Sequence, residues 1–215
     1  MIRVMVVDDH NLVRQGIEAI LEKAHDMELV GSAEDGQQAL DVMARVPADV
    51  VVADIAMPRL NGIQMMRGMA KSGSQARVVI LSMYSDETLV RQALKCGACG
   101  YLLKSSVTEE LLLAVRAAYR GKVYISPEVS RAVLDDFPTA SSGGSNFAER
   151  LTSREGQVLQ LVAEGHSNTE IGNILSLSAK TVEKHRATMM KKLGASDLPS
   201  LIRIAMKHRL IFPED

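Results

Sequence analysis

Five side chains able to do phosphoryl chemistry stand at the ends of four short apolar runs. Val4-Met5-Val6-Val7 stops at Asp8-Asp9, and Val50-Val51-Val52-Ala53 stops at Asp54. Val78-Val79-Ile80-Leu81 stops at Ser82, and Tyr101-Leu102-Leu103 stops at Lys104. Three ionised carboxylates in one cleft repel by roughly 4 kcal/mol per pair at ~4 Å and an effective dielectric of ~20. One lysine offsets that poorly, whereas a divalent cation offsets it well. Carboxylate-rich oxygen sites suit Mg²⁺, so Mg²⁺ is the expected cofactor. With the metal in place, one carboxylate can act as nucleophile toward phosphorus. Asp54 stands alone on an apolar run and is the expected nucleophile. Asp8 and Asp9 are adjacent and can hold the metal together. Ser82 can hydrogen-bond a transferred phosphoryl oxygen, and Lys104 can pair with another.

For these residues to meet, their strands must lie in one sheet. Short β-branched runs separated by helical patterns predict a doubly wound α/β fold with five parallel strands. The carboxyl ends of such strands share one edge, where ligands bind. The helical stripes are Val13, Ile17, Ile20 and Leu21; Ala39, Leu40 and Met43; Ile63, Met66 and Ala70; Leu89, Val90, Ala93 and Leu94; and Leu111, Leu112, Val115, Ala118 and Tyr119. A short strand is expected over 28–31. The sequence organises as a domain over 1–124, a linker over 125–147 rich in Ser and Gly, and an all-α domain over 148–215.

Residues 148–215 predict four short helices. Thr152-Ser-Arg-Glu155 is a capping box opening the first, and Gly165 ends it. Asn168 is expected to cap the second. Ser176-Leu177-Ser178 is a turn short enough to make a helix-turn-helix, whose second helix enters the DNA major groove. That helix carries Lys180, Lys184, Arg186, Lys191 and Lys192 against Glu183. Lys180, Thr181, Lys184 and Arg186 are the expected groove and backbone contacts, and Lys191 and Lys192 the expected phosphate contacts. The last helix carries Leu198, Leu201, Ile202 and Ala205, more apolar surface than one small core needs, and is the expected dimer contact.

Charge is nearly balanced, at −1 over 215 residues. The cationic excess is local: residues 148–215 hold 10 Lys+Arg against 8 Asp+Glu. No apolar run approaches the ~18 residues of a membrane span. The apolar start is cut short by Asp8-Asp9, unlike a signal peptide, so a cytoplasmic location is expected. Cys96-Gly97-Ala98-Cys99 has redox or zinc spacing, but no second pair completes a zinc site, and the motif ends a helix rather than opening one. The five histidines show no metal-ligand spacing.

Val6-Val7-Asp8-Asp9-His10, Asp54-Ile-Ala-Met-Pro-Arg-Leu-Asn-Gly62, Ile80-Leu81-Ser82 and Gly100-Tyr-Leu-Leu-Lys104 resemble the flavodoxin-like receiver domain of bacterial response regulators. Leu151-Thr-Ser-Arg-Glu155, Gly165-His-Ser-Asn-Thr-Glu-Ile171 and Lys180-Thr-Val-Glu-Lys-His-Arg186 resemble the LuxR-type effector domain of the NarL/FixJ subfamily. The resemblance implies that Asp54 accepts a phosphoryl group from a sensor histidine kinase and that the Ala56 carbonyl completes the metal shell. It implies that Tyr101 is an aromatic switch that turns inward when Ser82 engages the phosphoryl group. Ala56 and Tyr84 sit where receivers tune the loss of that group to water. The implied partners are the kinase, double-stranded promoter DNA and a second copy of the chain, with RNA polymerase as a further candidate. The chain would catalyse only its own phosphorylation and slow dephosphorylation, with the resting receiver blocking the third effector helix. Two departures stand out. Many receivers carry Lys-Pro where this chain has Lys104-Ser105, and Gly172 replaces the usual alanine, which predicts a looser second helix. A haloacid-dehalogenase-like phosphatase would need an acid two residues after its nucleophile, where this chain has Ala56. A redox-controlled DNA-binding protein would work through Cys96 and Cys99.

Overall fold

The computed structural model describes residues 1–134 and 150–212, and the chain divides into two compact units, Met1–Thr139 and Ala140–Asp215. The first unit alternates strand and helix: β1 (Ile2–Val7), α1 (Asn11–Glu22), β2 (Met27–Ala33), α2 (Gly36–Met43), β3 (Val50–Asp54), α3 (Gly62–Lys71), β4 (Arg77–Ser82), α4 (Glu87–Lys95), β5 (Ala98–Leu103) and α5 (Val107–Tyr119). Two further elements follow, β6 (Tyr124–Ile125) and α6 (Pro127–Leu134). All strands pair in parallel, in the order β2-β1-β3-β4-β5-β6.

The sheet therefore has six strands, not five. Tyr124 and Ile125 add an edge strand beside Gly100 and Tyr101. A two-residue strand carries no periodicity to read, which is why the sequence gives no sign of it. The expected linker over 125–147 accordingly begins with ordered elements, and its Phe137–Asn146 stretch lies outside the described residues.

Every residue of β3 is buried, because helices cover both faces of the sheet. Ile17 and Leu21 of α1 pack with Leu111, Ala114, Val115 and Ala118 of α5 on one face, against Val4, Val6, Val50, Val52, Val79 and Leu81. The alternate strand residues face the side covered by α2, α3 and α4. Methionine fills much of that side: Met65, Met66 and Met69 of α3 are buried, whereas Ala70, expected in that stripe, is exposed. Tyr119, expected in the α5 stripe, is also exposed.

The second unit consists of α7 (Ser153–Ala163), α8 (Asn168–Leu175), α9 (Ala179–Leu193) and α10 (Leu198–Lys207). Thr152 and Glu155 form the expected capping box. The cap of α8 is Ser167 rather than Asn168, in a second capping box with Glu170. Gly194 ends α9 in the left-handed conformation. Gly172 lies against the turn that follows α8. A Cβ there would stand 2.6 Å from the Leu177 carbonyl oxygen, so glycine lets the turn close on the helix, and the Leu177 amide donates to the Gly172 carbonyl at 2.8 Å.

Candidate functional site

Asp8 and Asp9 follow β1, and Asp54 ends the adjacent β3, where the strand order reverses. Ligands bind at such switch points. Ligand atoms of Asp8, Asp9, His10 and Asp54 all lie within 4.8 Å of one another. His10 is a member that its sequence spacing does not reveal. Its Nδ1 lies 3.1 Å from Asp9 Oδ1 and 3.4 Å from Asp8 Oδ1. Lys104, at the end of β5, reaches Asp54 Oδ2 at 2.6 Å and Asp8 Oδ2 at 2.9 Å. All five predicted chemical residues thus stand at one sheet edge.

The electrostatics of the cleft come from burial. Asp8 is fully buried and Asp54 is 3% exposed. Burial drives the Asp54 pKa up. Lys104 and the Ala56 amide pull it down and Asp8 pushes it up, leaving it at about 6. Burial works against the Lys104 ammonium, but Asp54 and Asp8 outweigh it and hold its pKa above the usual value. The buried Asp8 Oδ2 faces that ammonium at 2.9 Å and accepts no backbone amide. An oxygen left so, among two further carboxylates, fits a small hard cation such as Mg²⁺.

The loop after Asp54 is held on both sides. The Ala56 amide donates to Asp54 Oδ1 at 3.2 Å. Arg59, at φ +60, is in an uncommon backbone conformation for a side-chain-bearing residue, and it pairs with the fully buried Asp35. A Cβ at Gly62 would stand 2.6 Å from the Asp54 carbonyl oxygen, so glycine lets α3 start against the acceptor strand.

Ser82 is fully buried, and its Oγ accepts from the Tyr84 amide at 2.9 Å. Tyr101 is fully buried, and its hydroxyl donates to the Tyr84 carbonyl at 2.7 Å. The expected switch residue is therefore already inward here, tied to the loop after Ser82. Ala56 and Tyr84 are half-buried.

In the second unit, α9 presents Lys180, Lys184 and Lys191 to solvent and buries Val182, Met189 and Leu193. Thr181 Oγ1 lies 2.8 Å from Ser178 Oγ at the helix start. Arg186 donates to Asn168 Oδ1 at 2.6 Å, joining α9 to α8. Lys192 departs from expectation. Its ammonium donates to both carboxylate oxygens of the buried Glu155, at 2.8 and 2.7 Å, so it staples α9 to α7 rather than facing a phosphate. Burial pushes the Glu155 carboxyl up, but Lys192 and the Thr152 amide and hydroxyl outweigh it and hold its pKa below the usual value.

Two residues of the expected dimer face are corrected. Leu201 and Ala205 are fully buried in the core of their own unit, with Leu210 and Ile211 packed into the same cluster. Leu198 and Ile202 are partly buried against it. Leu201 and Ala205 thus belong to the core of the effector unit itself.

Cys96 and Cys99 are free thiols. Cys99 packs against the cluster containing α1 and α5, while Cys96 caps α4. A groove of about 670 Å³ lies at the opposite edge of the sheet, beside Arg3, Asp49 and Arg77, and contains none of the predicted site residues. Among the described residues no helix is long and apolar enough to cross a membrane.

Known proteins share this arrangement. Residues 4–116 match the response regulator receiver domain, and residues 149–205 match the bacterial regulatory proteins of the luxR family. The oxygen regulatory protein NreC of Staphylococcus aureus is 35% identical over 214 residues, covering 97% of this chain and 99% of the relative. The RcsB response regulator of Salmonella typhimurium superposes with a TM-score of 0.59 at 26% identity, covering 96% of this chain and 98% of RcsB. A structure of an RcsB–DNA complex superposes equally well, with a TM-score of 0.59 at 26% identity over 95% of this chain and 98% of that one. A receiver and a LuxR-type helix-turn-helix in this order, aligned nearly end to end with such relatives, mean that the chain belongs to the two-component response regulators of the NarL/FixJ type.

Proposed function

We propose that the receiver takes a phosphoryl group from a phosphohistidine of a sensor histidine kinase onto Asp54, and that this controls promoter binding by α9. The observation that carries this reading is the buried Asp54 carboxylate, bonded to Lys104 at 2.6 Å and clustered with Asp8 and Asp9.

Asp8, Asp9, Asp54 and the Ala56 carbonyl would hold Mg²⁺, which when bound neutralises charge on the carboxylates and the phosphoryl oxygens. Asp54 attacks phosphorus through one carboxylate oxygen, the P–N bond breaks and the imidazole leaves. With a pKa of about 6, Asp54 is mostly ionised at pH 7 and ready to attack. Lys104 then exchanges its bond to Asp54 for one to a phosphoryl oxygen. Ser82 turns its hydroxyl from the Tyr84 amide to another, and Tyr101, already inward, holds the loop after Ser82 through the Tyr84 carbonyl. Water later removes the phosphoryl group, at a rate set by the side chains of Ala56 and Tyr84. The chain catalyses no other turnover.

In the effector, Lys180, Thr181, Lys184 and Arg186 contact the groove and backbone of promoter DNA, and Lys191 contacts a phosphate. That RcsB, a structural neighbour, has been solved in complex with DNA supports DNA binding by this chain. One helix-turn-helix gives a small interface, so two copies reading two half-sites supply specificity. Phosphorylation raises the dimer population and DNA affinity together. The setting is cytoplasmic, with RNA polymerase as a partner at the promoter.

Incubating the chain with phosphoramidate and Mg²⁺, then mapping the adduct by mass spectrometry, tests the receiver reading. The expected adduct is on Asp54, is absent without divalent metal, and raises affinity for selected promoter DNA. An adduct confined to another residue would overturn the reading.

A further inference from the structure

The residue after Lys104 is serine, where many receivers place proline, so the ring that would stiffen this turn is missing. The chain nevertheless brings the Lys104 ammonium within 3 Å of two carboxylates, in a short 3₁₀ turn over Lys104–Ser106 that runs directly into α5. Something else must fix that turn, and one buried polar residue is placed to do it.

Ser126 lies between β6 and α6 and is fully buried. Its amide donates to the Tyr101 carbonyl at 3.0 Å. Its Oγ accepts from the Leu103 amide at 3.3 Å and donates to the Glu110 carboxylate. Its carbonyl accepts from the Val129 and Ser130 amides, both at 2.9 Å, where α6 begins. Leu103 immediately precedes Lys104, and Glu110 lies in the first turn of α5. One hydroxyl therefore grips both ends of the turn that aims Lys104. A hydroxyl is suited to this because it accepts one hydrogen bond and donates another at the same atom. Alanine there would leave the buried Leu103 amide without this partner. Burial and the Glu110 carboxylate together hold the pKa of Tyr124, on β6, above its usual value.

We propose that Ser126, through Leu103 and Glu110, is a positioning residue for phosphoryl transfer that holds Lys104 on Asp54. It sits at the start of α6, so the segment leading out of the receiver is fastened to the strand that carries Tyr101 and Lys104. The inference rests on the reading of Asp54 as phosphoacceptor.

The test uses the full chain, phosphoramidate and Mg²⁺. Ser126→Ala should lower the maximal labelling rate constant about tenfold, as expected for a catalytic cation displaced by a fraction of an ångström. The Mg²⁺ concentration for half-maximal labelling should stay within about twofold, because the metal-holding carboxylates are untouched. Ser126→Thr keeps the hydroxyl and should restore the rate. The Leu103 and Lys104 amide resonances should move in Ser126→Ala and return in Ser126→Thr. A general loss of structure would not give that selective return. Folded Ser126→Ala labelled at the parent rate would overturn the proposal. If Ser126→Ala fails to fold, Glu110→Ala decides: a slowed rate with unchanged metal dependence supports the proposal, and the parent rate overturns it. Mass mapping separates the two readings. An adduct away from Asp54 in the parent removes the phosphoacceptor assignment and this inference with it. An adduct on Asp54 with indifferent variants removes only the role of Ser126.

Discussion

Two buried carboxylates, one in each unit, have the same kind of partner and opposite fates. Asp54 is 3% exposed with a lysine nitrogen at 2.6 Å; Glu155 is 4% exposed with a lysine nitrogen at 2.7 Å. Yet the Asp54 pKa is raised to about 6, and that of Glu155 is lowered. The difference lies in the depth of each site, where Lys104 is 8% and Lys192 34% exposed, and in the remaining neighbours. Glu155 accepts the Thr152 amide at 2.7 Å and the Thr152 hydroxyl at 3.0 Å, so its charge is met by dipoles as well as by Lys192. Asp54 accepts one backbone amide at 3.2 Å and must share Lys104 with Asp8. A carboxylate whose charge is fully met is a structural staple. One whose charge is only partly met is destabilising until a cation or phosphoryl group arrives, and that is the condition of a reaction site.

The sharpest way to break this contrast is to remove the charge from Asp54. Asp54→Asn should abolish phosphorylation outright. In metal-free buffer at pH 7 it should also stabilise the receiver, by about 3 kcal/mol if the whole rise of the Asp54 pKa is relieved. Calorimetry of the full chain reads this as a higher receiver transition with the effector transition unmoved. A receiver that melts lower in Asp54→Asn would show that the Lys104 bond outweighs the cost of burial, and the contrast would fail.

The opposite substitution sits in the effector. Lys192→Ala leaves Glu155 buried with its dipoles but without its cation. Because the Lys192 side chain is one-third exposed, the loss should be about 1–3 kcal/mol rather than that of a fully buried pair. The effector transition should fall accordingly, while the salt dependence of DNA binding stays close to that of the parent. A shallower salt slope with unchanged stability would return Lys192 to the DNA-contacting set.

Lys184 completes the comparison, since its side chain is exposed on α9 where that of Lys192 is tied to Glu155. Lys184→Ala should weaken promoter binding about tenfold. In a dimer it should flatten the slope of log affinity against log salt by roughly two, one phosphate per copy. The effector transition should barely move. Equal affinities for parent and variant would place the interface on another helix.

What the sequence reveals follows from what is local. Asp8, Asp9, Asp54, Ser82 and Lys104 are legible because each ends a short apolar run, and parallel strands bring their carboxyl ends together. The capping boxes at Thr152 and Ser167 are local too, although the second shows that an Asn one position on can pass for the cap. The misreadings concern partners distant in sequence. Lys192 looks like a phosphate contact because its carboxylate lies 37 residues away. Leu201 and Ala205 look like a dimer seam because the residues that share their core lie on other segments of the unit. Ser126 gives no signal at all, since its meaning comes from hydrogen bonds to Leu103 and Glu110 across the edge of the sheet.

The finest test varies pH without any substitution. Asp54 has a folded pKa of about 6, above its ordinary value of 3.8, so between those values the folded receiver binds more protons than the unfolded chain. Stability gained by protonation is absent at pH 7 and grows as pH falls through 6. From pH 7 to pH 5 the metal-free receiver should gain about 1 kcal/mol from this group. Glu155 has the opposite sign. Its folded pKa lies below its ordinary value of 4.5, so its contribution is intact above that value and is lost as pH falls through the folded pKa. The effector should therefore hold steady from pH 7 to pH 5 and weaken only in stronger acid. Other carboxylates titrate in the receiver as well, Asp26 and Asp49 among them with lowered pKa values, so the Asp54 contribution is read as the difference between the parent and Asp54→Asn. That difference in melting temperature should shrink from pH 7 to pH 5. Mg²⁺ should shrink it at pH 7 too, because cation and proton relieve the same repulsion. A difference that stays constant with pH would mean that the Asp54 charge is already met in the folded chain, and the two carboxylates would then be alike.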